Sequence, residues 1–209
     1  MAEEDHRREV IRYYDENARA FYDRTVGMDM SDKYDRFLAY LKPGSKILDA
    51  GCGSGRDSLF FLNKGYDVTA MDGSAEMVRL ASDLIGRPAL HLSFYDMDFS
   101  EVFDAVWASA SLLHVPRSDI RGVIDRMVRA LKPGGIFYMS FKHGNEEKID
   151  RGRFYNFYDE ESLAALLDQI PALALLETWQ NTDPRPGRGD VLWLNAITRK
   201  KISLENMGE

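Results

Sequence analysis

The run Asp49-Ala50-Gly51-Cys52-Gly53-Ser54-Gly55 places three glycines at alternate positions behind the apolar pair Ile47-Leu48. Glycine leaves bare backbone there, so a ligand can approach where side chains would block it. A helix starting at this turn supplies free N–H donors and a partial positive charge suited to a carboxylate. Asp49 heads the run, where it can hold an amino group or neighbouring amides and would crowd a pyrophosphate. Asp72 stands about 20 residues beyond the middle glycine, the place from which an acid accepts both hydroxyls of a ribose. Asp96 follows a third apolar run and suits an adenine amino group. Each feature alone has a plainer use, as a connecting turn, a solvated turn acid or a cap. Together they end successive strands, and ligands of open α/β sheets sit at that edge.

A second group of polar residues lies further along. His114 follows a fourth strand-like run at the same edge, and an unperturbed imidazole titrates near neutrality, so it is the candidate base. It also reads as a turn histidine that bonds backbone ahead of a helix at Ser118. The segment 142–158 mixes Lys142, His143 and Arg153 with Phe154, Tyr155 and Tyr158, and the loop 181–190 adds Arg185 and Arg188. Cations among aromatics can hold an anionic or planar substrate, and equally serve solubility and packing. Arg153 and Tyr158 are the substrate candidates.

The elements that position these residues follow from periodicity. Val10, Ile11, Tyr14, Ala18, Phe21 and Tyr22 recur at helical spacing over residues 4–26. Ser31 reads as the N-cap of a short helix that ends at Lys42-Pro43-Gly44. From Ser45 the pattern alternates strand and helix. Strands are expected near 47–48, 66–71, 89–92, 103–108 and 136–141, with helices through Leu59, from Ser74 and from Ser118. After a helix at 160–170, the runs 173–180 and 191–198 are joined by a Pro-, Gly- and Arg-rich loop too short for a crossover, so they should pair antiparallel. The expected architecture is α/β: a Rossmann-like, doubly wound, mainly parallel seven-stranded sheet with an antiparallel C-terminal strand. Residues 1–42 form an N-terminal helical lid, 43–199 the core and 200–209 a tail.

Composition narrows the class. The 209 residues carry 27 basic and 34 acidic side chains, a net charge of −7, which disfavours phosphate backbones and anionic membranes. Cys52 is the only cysteine, and the four histidines show no ligand spacing, so neither a disulfide nor a metal site is expected. The charged N-terminus and the lack of a long apolar run point to a cytoplasmic protein.

With these residues in place, the chain resembles the class I S-adenosylmethionine-dependent methyltransferases from about Tyr13 to Arg199. Asp49-x-Gly51-x-Gly53-x-Gly55 looks like their first motif, and Asp72, followed by Gly73, like their ribose-binding acid. Phe94-Tyr95-Asp96-Met97 is similar to the adenine-flanking segment, and Leu131-Lys132-Pro133-Gly134-Gly135 to the turn before the fifth strand. The helix carrying Tyr14 and Tyr22 is similar to the lid of small-molecule members. The resemblance implies S-adenosyl-L-methionine as cofactor, with Met77, Ala108 and Ser109 completing its contacts. It also implies a small-molecule acceptor, with no nucleic acid or membrane partner, and a monomer or homodimer.

Two other readings stay open. A dinucleotide oxidoreductase would want Gly-x-Gly-x-x-Gly, and Arg56 stands where its last glycine would fall. A module that binds the cofactor without catalysis would share every motif. The amino-methyltransferase signature is absent after the fourth strand, where Ala108-Ser109-Ala110-Ser111 stands. That leaves small metabolites, thiols or metalloid oxyanions, with tellurite-resistance-type enzymes the nearest relatives by resemblance.

Overall fold

A computed structural model describes residues 2–202 apart from 184 and 186, with only the backbone described for 2–5. Three helices come first: α1 (Ala2–Glu16), α2 (Ala18–Thr25) and α3 (Ser31–Leu38). Then β1 (Lys46–Ala50), α4 (Arg56–Asn63), β2 (Asp67–Asp72), α5 (Ala75–Ile85), β3 (Leu90–His91) and β4 (Phe103–Ala108) alternate. They are followed by α6 (Arg117–Ala130), β5 (Leu131–Lys142), a hairpin of β6 (Glu147–Asp150) and β7 (Arg153–Asn156), α7 (Glu160–Asp168), β8 (Leu173–Thr182) and β9 (Leu192–Lys200).

Seven strands form one sheet in the order β3-β2-β1-β4-β5-β9-β8. β1 pairs parallel with both β2 and β4, and only β9 runs against its neighbours. The expected doubly wound sheet with a reversed C-terminal strand is therefore observed. Its core strands are buried on both faces, as helices on either side require. Leu48, Ala50, Val106 and Ala108 face α6, joining Ile120, Val123 and Met127. The alternate residues Ile47, Ala105 and Trp107 face Tyr34, Phe37 and Phe61. The strand order reverses between β1 and β4, and this switch point opens the cleft where such sheets bind ligands.

Three local expectations change. Ser31 is the first helical residue rather than the cap: the Asp29 carboxylate accepts from both its backbone N–H and its hydroxyl. The expected lid of 1–42 divides, because α3 buries Tyr34 and Phe37 in the core while α1 and α2 cover the cleft. In the expected 200–209 tail, Lys200 still belongs to β9, and residues 203–209 lie outside the described residues. Among the described residues no helix is long and apolar enough to cross a membrane.

Candidate active site

At the carboxyl end of β1 the chain turns through Gly51, Gly53 and Gly55 with φ of +80°, +52° and +81°. These left-handed values favour glycine. At Gly51 a Cβ would also lie 2.5 Å from the Ser111 Cβ, so the turn nests against the loop after β4 only without a side chain. Asp72, at the end of β2, ties this turn to the next. Its Oδ2 accepts from the Gly53 N–H at 2.9 Å and its Oδ1 from the Ser74 N–H at 2.9 Å. Burial lifts the Asp72 carboxyl above its ordinary value, against the pull of those N–H donors. The Ser74 hydroxyl in turn caps α5, as expected, and donates to Asp15 of the covering α1.

Beneath the turn lies a buried polar network. Asp57 accepts from the Tyr34 hydroxyl (2.5 Å), the Arg56 Nε–H (2.6 Å) and the Trp107 indole N–H (2.8 Å). Burial alone would raise this carboxyl, but the Arg56 charge and the hydrogen bonds from Arg56, Tyr34 and Trp107 hold it below its ordinary value. Arg56 also donates to the Thr25 carbonyl at the end of α2. Asp49 points inward as well: it accepts from the Ser58 hydroxyl at 2.6 Å, and burial together with the Asp57 charge pushes its carboxyl upward.

The cleft becomes a cavity of about 230 Å³ because α1 and α2 lie over it. Ile11 reaches Gly73, and Tyr14 and Phe21 line the cavity from above. The Tyr14 hydroxyl lies 2.8 Å from His114 Nε2, while His114 Nδ1 lies 2.7 Å from the Phe154 carbonyl. A carbonyl only accepts, so Nδ1 carries the proton and Nε2 accepts from Tyr14. Burial lowers the His114 pKa to about 3, which keeps the ring neutral at physiological pH. The far wall comes from Lys142 at the end of β5, Arg153 and Tyr155 of β7, and Arg185, Arg188 and Trp193 around the β8–β9 loop.

Of the residues singled out in the sequence, Tyr14, Gly51, Gly53 and Asp72 line this cavity, as do Gly73, Ser109, His114 and Arg153. Others lie elsewhere, each for a geometric reason. Gly55 serves helix packing, since a Cβ there would lie 3.0 Å from the Ala81 Cα. Met97 and Ala108 are buried in the core on the α6 side, and Met77 in a cluster with Ala18 and Leu80. Asp49 is buried below the turn, and Asp96 is exposed outside the cavity. Tyr22 packs against the Met77 cluster, whereas Phe21, seven residues after Tyr14 and so on the same helical face, reaches the cavity. Tyr158 lies past β7, buried against Phe141, and Tyr155 is the tyrosine that shares a strand face with Arg153. Arg56, Phe94 and Lys142 also line the cavity and were not selected from sequence. Arg56 was detectable as the first helical residue after the glycine turn.

Residues 48–139 match the family described as the methyltransferase domain. The malonyl-[acyl-carrier protein] O-methyltransferase of Salmonella typhimurium is 33% identical over 96 residues, which cover 44% of this chain and 37% of that protein. The 2-methyl-6-phytyl-1,4-hydroquinone methyltransferase of Synechocystis is 31% identical over 152 residues, covering 67% of this chain and 45% of that protein. The chain thus spans less than half the length of these two curated relatives. Among solved structures, the Burkholderia thailandensis 1,6-didemethyltoxoflavin-N1-methyltransferase superposes with a TM-score of 0.80 at 22% identity, covering 96% of this chain and 91% of that one. That structure contains 1,6-didemethyltoxoflavin and S-adenosylhomocysteine. Residues 48–139 are thus similar to a methyltransferase domain, and the chain that carries them has the fold of the class I S-adenosylmethionine-dependent methyltransferases.

Proposed function

We propose that this protein transfers the methyl group of S-adenosylmethionine to a small molecule held in the covered cavity. The observation that carries this reading is Asp72. It lines the cavity at the switch point, and each oxygen takes one backbone N–H, leaving further acceptor capacity for a pair of ribose hydroxyls. The backbone at Gly51 and Gly53 and the guanidinium of Arg56 would hold the amino-acid end, and Phe94 and Ile11 supply apolar surface for a purine. The malonyl-acyl-carrier-protein and hydroquinone methyltransferases and the toxoflavin enzyme point to the same chemistry on different acceptors. S-adenosylmethionine supplies an electrophilic methyl on sulfonium, so the chain's own task is to position an acceptor and exclude water.

His114 enters this proposal as a positioning residue. Its lone pair is committed to the Tyr14 hydroxyl and its basicity is low, so it fixes Tyr14 of the cover against the hairpin strand β7 rather than taking a proton. The size of the cavity supports a small acceptor, and the net charge of −7 disfavours nucleic acid and anionic membranes as partners. Isothermal titration with S-adenosylmethionine and S-adenosylhomocysteine tests the reading. Asp72→Ala should weaken both by about 1–3 kcal/mol, the scale of lost charged hydrogen bonds. Unchanged affinity in a folded variant removes the acid from that role, and no heat with either ligand refutes the proposal. Turnover of labelled cofactor in an extract separates an enzyme from a module that only binds it.

A further inference from the structure

We infer that the acceptor is a small organic anion whose acid group sits among Lys142, Arg153 and Arg188 on the far wall of the cavity, an inference that rests on the methyltransferase reading. The chain carries a net charge of −7, yet this wall gathers four cations: Lys142, Arg153, Arg185 and Arg188. They come from β5, from β7 and from the β8–β9 loop, so no single surface segment explains their convergence. Only Arg185 is neutralised, by a forked pair with Asp183. Among the described residues no carboxylate lies within ion-pair distance of the other three.

Their surroundings are aromatic rather than acidic. The Lys142 ammonium lies 3.7 Å from the centroid of the Tyr155 ring, and the Arg153 guanidinium 4.5 Å and 5.1 Å from those of Tyr13 and Tyr155. Ring faces compensate a cation only partly, and the polar partner beside the Arg153 guanidinium, the Tyr14 hydroxyl, is neutral. The Arg153 Nε is buried and has no hydrogen-bond partner. An unmatched buried donor leaves the charge of that guanidinium under-compensated. Lys142 shows the same tension. Burial first, and then Arg153, Arg188 and Arg185, lower its pKa to about 8 against the opposing charge of Asp150. Cations that repel one another inside a partly dry pocket favour an anion between them.

Salicylate and salicylamide are the probes, since they share a planar ring and differ in the charge at the acid position. With S-adenosylhomocysteine saturating, salicylate should bind about tenfold or more tighter than salicylamide, the range of a charge-assisted hydrogen bond. Arg153→Gln should remove most of that preference while leaving affinity for S-adenosylhomocysteine unchanged. Arg188→Gln, on the loop, does the same in part and covers the case in which the β7 variant fails to fold. Equal affinity for the two probes, no detectable salicylate binding, or a preference that survives both variants overturns the inference and leaves the methyltransferase reading standing. Variants that weaken S-adenosylhomocysteine instead of salicylate also overturn it, because the cations would then hold the cofactor's own carboxylate. A wild-type protein that binds no S-adenosylhomocysteine refutes the methyltransferase reading and, with it, this inference.

Discussion

The two walls of the cavity are built in opposite ways. The rim at β1 and β2 is made of backbone and carboxylates drawn from about 25 consecutive residues, with its ligand groups fixed by the turn itself. The far wall is made of long cationic and aromatic side chains drawn from β5, β7 and the β8–β9 loop, with α1 closing over them. On the rim the polar groups are bonded to one another, and the Asp57 network beneath them is satisfied at every oxygen. On the wall, the Arg153 Nε–H is left over. A rim of this kind suits a ligand common to a whole family, whereas a wall of this kind is free to change with the acceptor.

If the rim is rigid because its foundation is satisfied, removing that foundation should have the largest effect. Asp57→Ala strands the Tyr34 hydroxyl, the Trp107 indole N–H and the half-buried Arg56 charge together. Breaking a buried charge pair from one side costs about 3–5 kcal/mol. Urea unfolding should show a loss of that order, with affinity for S-adenosylhomocysteine falling too as Arg56 is released. A loss under about 1 kcal/mol would mean that solvent reaches these groups and that the rim owes its shape to the glycine turn alone.

The wall should respond to pH instead. His114 has its folded pKa lowered from 6.5 to about 3 by burial. Between those values the unfolded chain binds the extra proton, so stability rises with pH across this window and is lost as pH falls below about 6.5. The slope from one such group is at most ~1.4 kcal/mol per pH unit. His114→Asn keeps a donor for the Phe154 carbonyl but does not titrate. Denaturation midpoints of the variant should therefore be flatter from pH 4 to 6 than those of the parent, and turnover should show no loss of a group titrating near neutrality. Parallel stability curves would place the proton on a solvated ring and return His114 to the role of base.

The same contrast decides what could be read from the sequence. The alternating strands, the reversed pair at the end, the cap at Ser74 and the Asp72 position are all local patterns, and each is found where spacing puts it. The hairpin β6–β7 gave no such signal. Its first strand, Glu147–Asp150, is charged and mostly exposed, so it lacks the apolar alternation that marks a half-buried strand. Without that hairpin the sequence does not show that Tyr155, and not Tyr158, shares a strand face with Arg153. Met77, Met97 and Ala108 are adjacent in the chain to the cavity, and their side chains turn into the core. At Asn17 the helix is interrupted, yet i→i−4 bonds cross it and Tyr14 and Phe21, seven residues apart, keep one face, so the apolar spacing is a true guide to the cover.

Gly53 is where rim and cover meet, and it carries the smallest expected effect. Its φ of +52° lies in the left-handed region that other residues enter at modest cost, unlike the +80° of Gly51. A Cβ there would sit 3.3 Å from the Phe21 ring and touch nothing else closely, so a shift of a few tenths of an ångström in one lid side chain admits it. Gly53→Ala should then lower stability by only about 1–2 kcal/mol, the cost of the backbone conformation. The N–H that Gly53 gives to Asp72 survives the change, so the carboxylate keeps its orientation. What moves is Phe21, and with it the closure of α2 over the cavity. Faster dissociation of S-adenosylhomocysteine in stopped-flow, with unfolding shifted by no more than that amount, is the expected result. A large loss of stability with unaltered dissociation would instead make the glycine a requirement of the turn, and would leave the cover free of the rim.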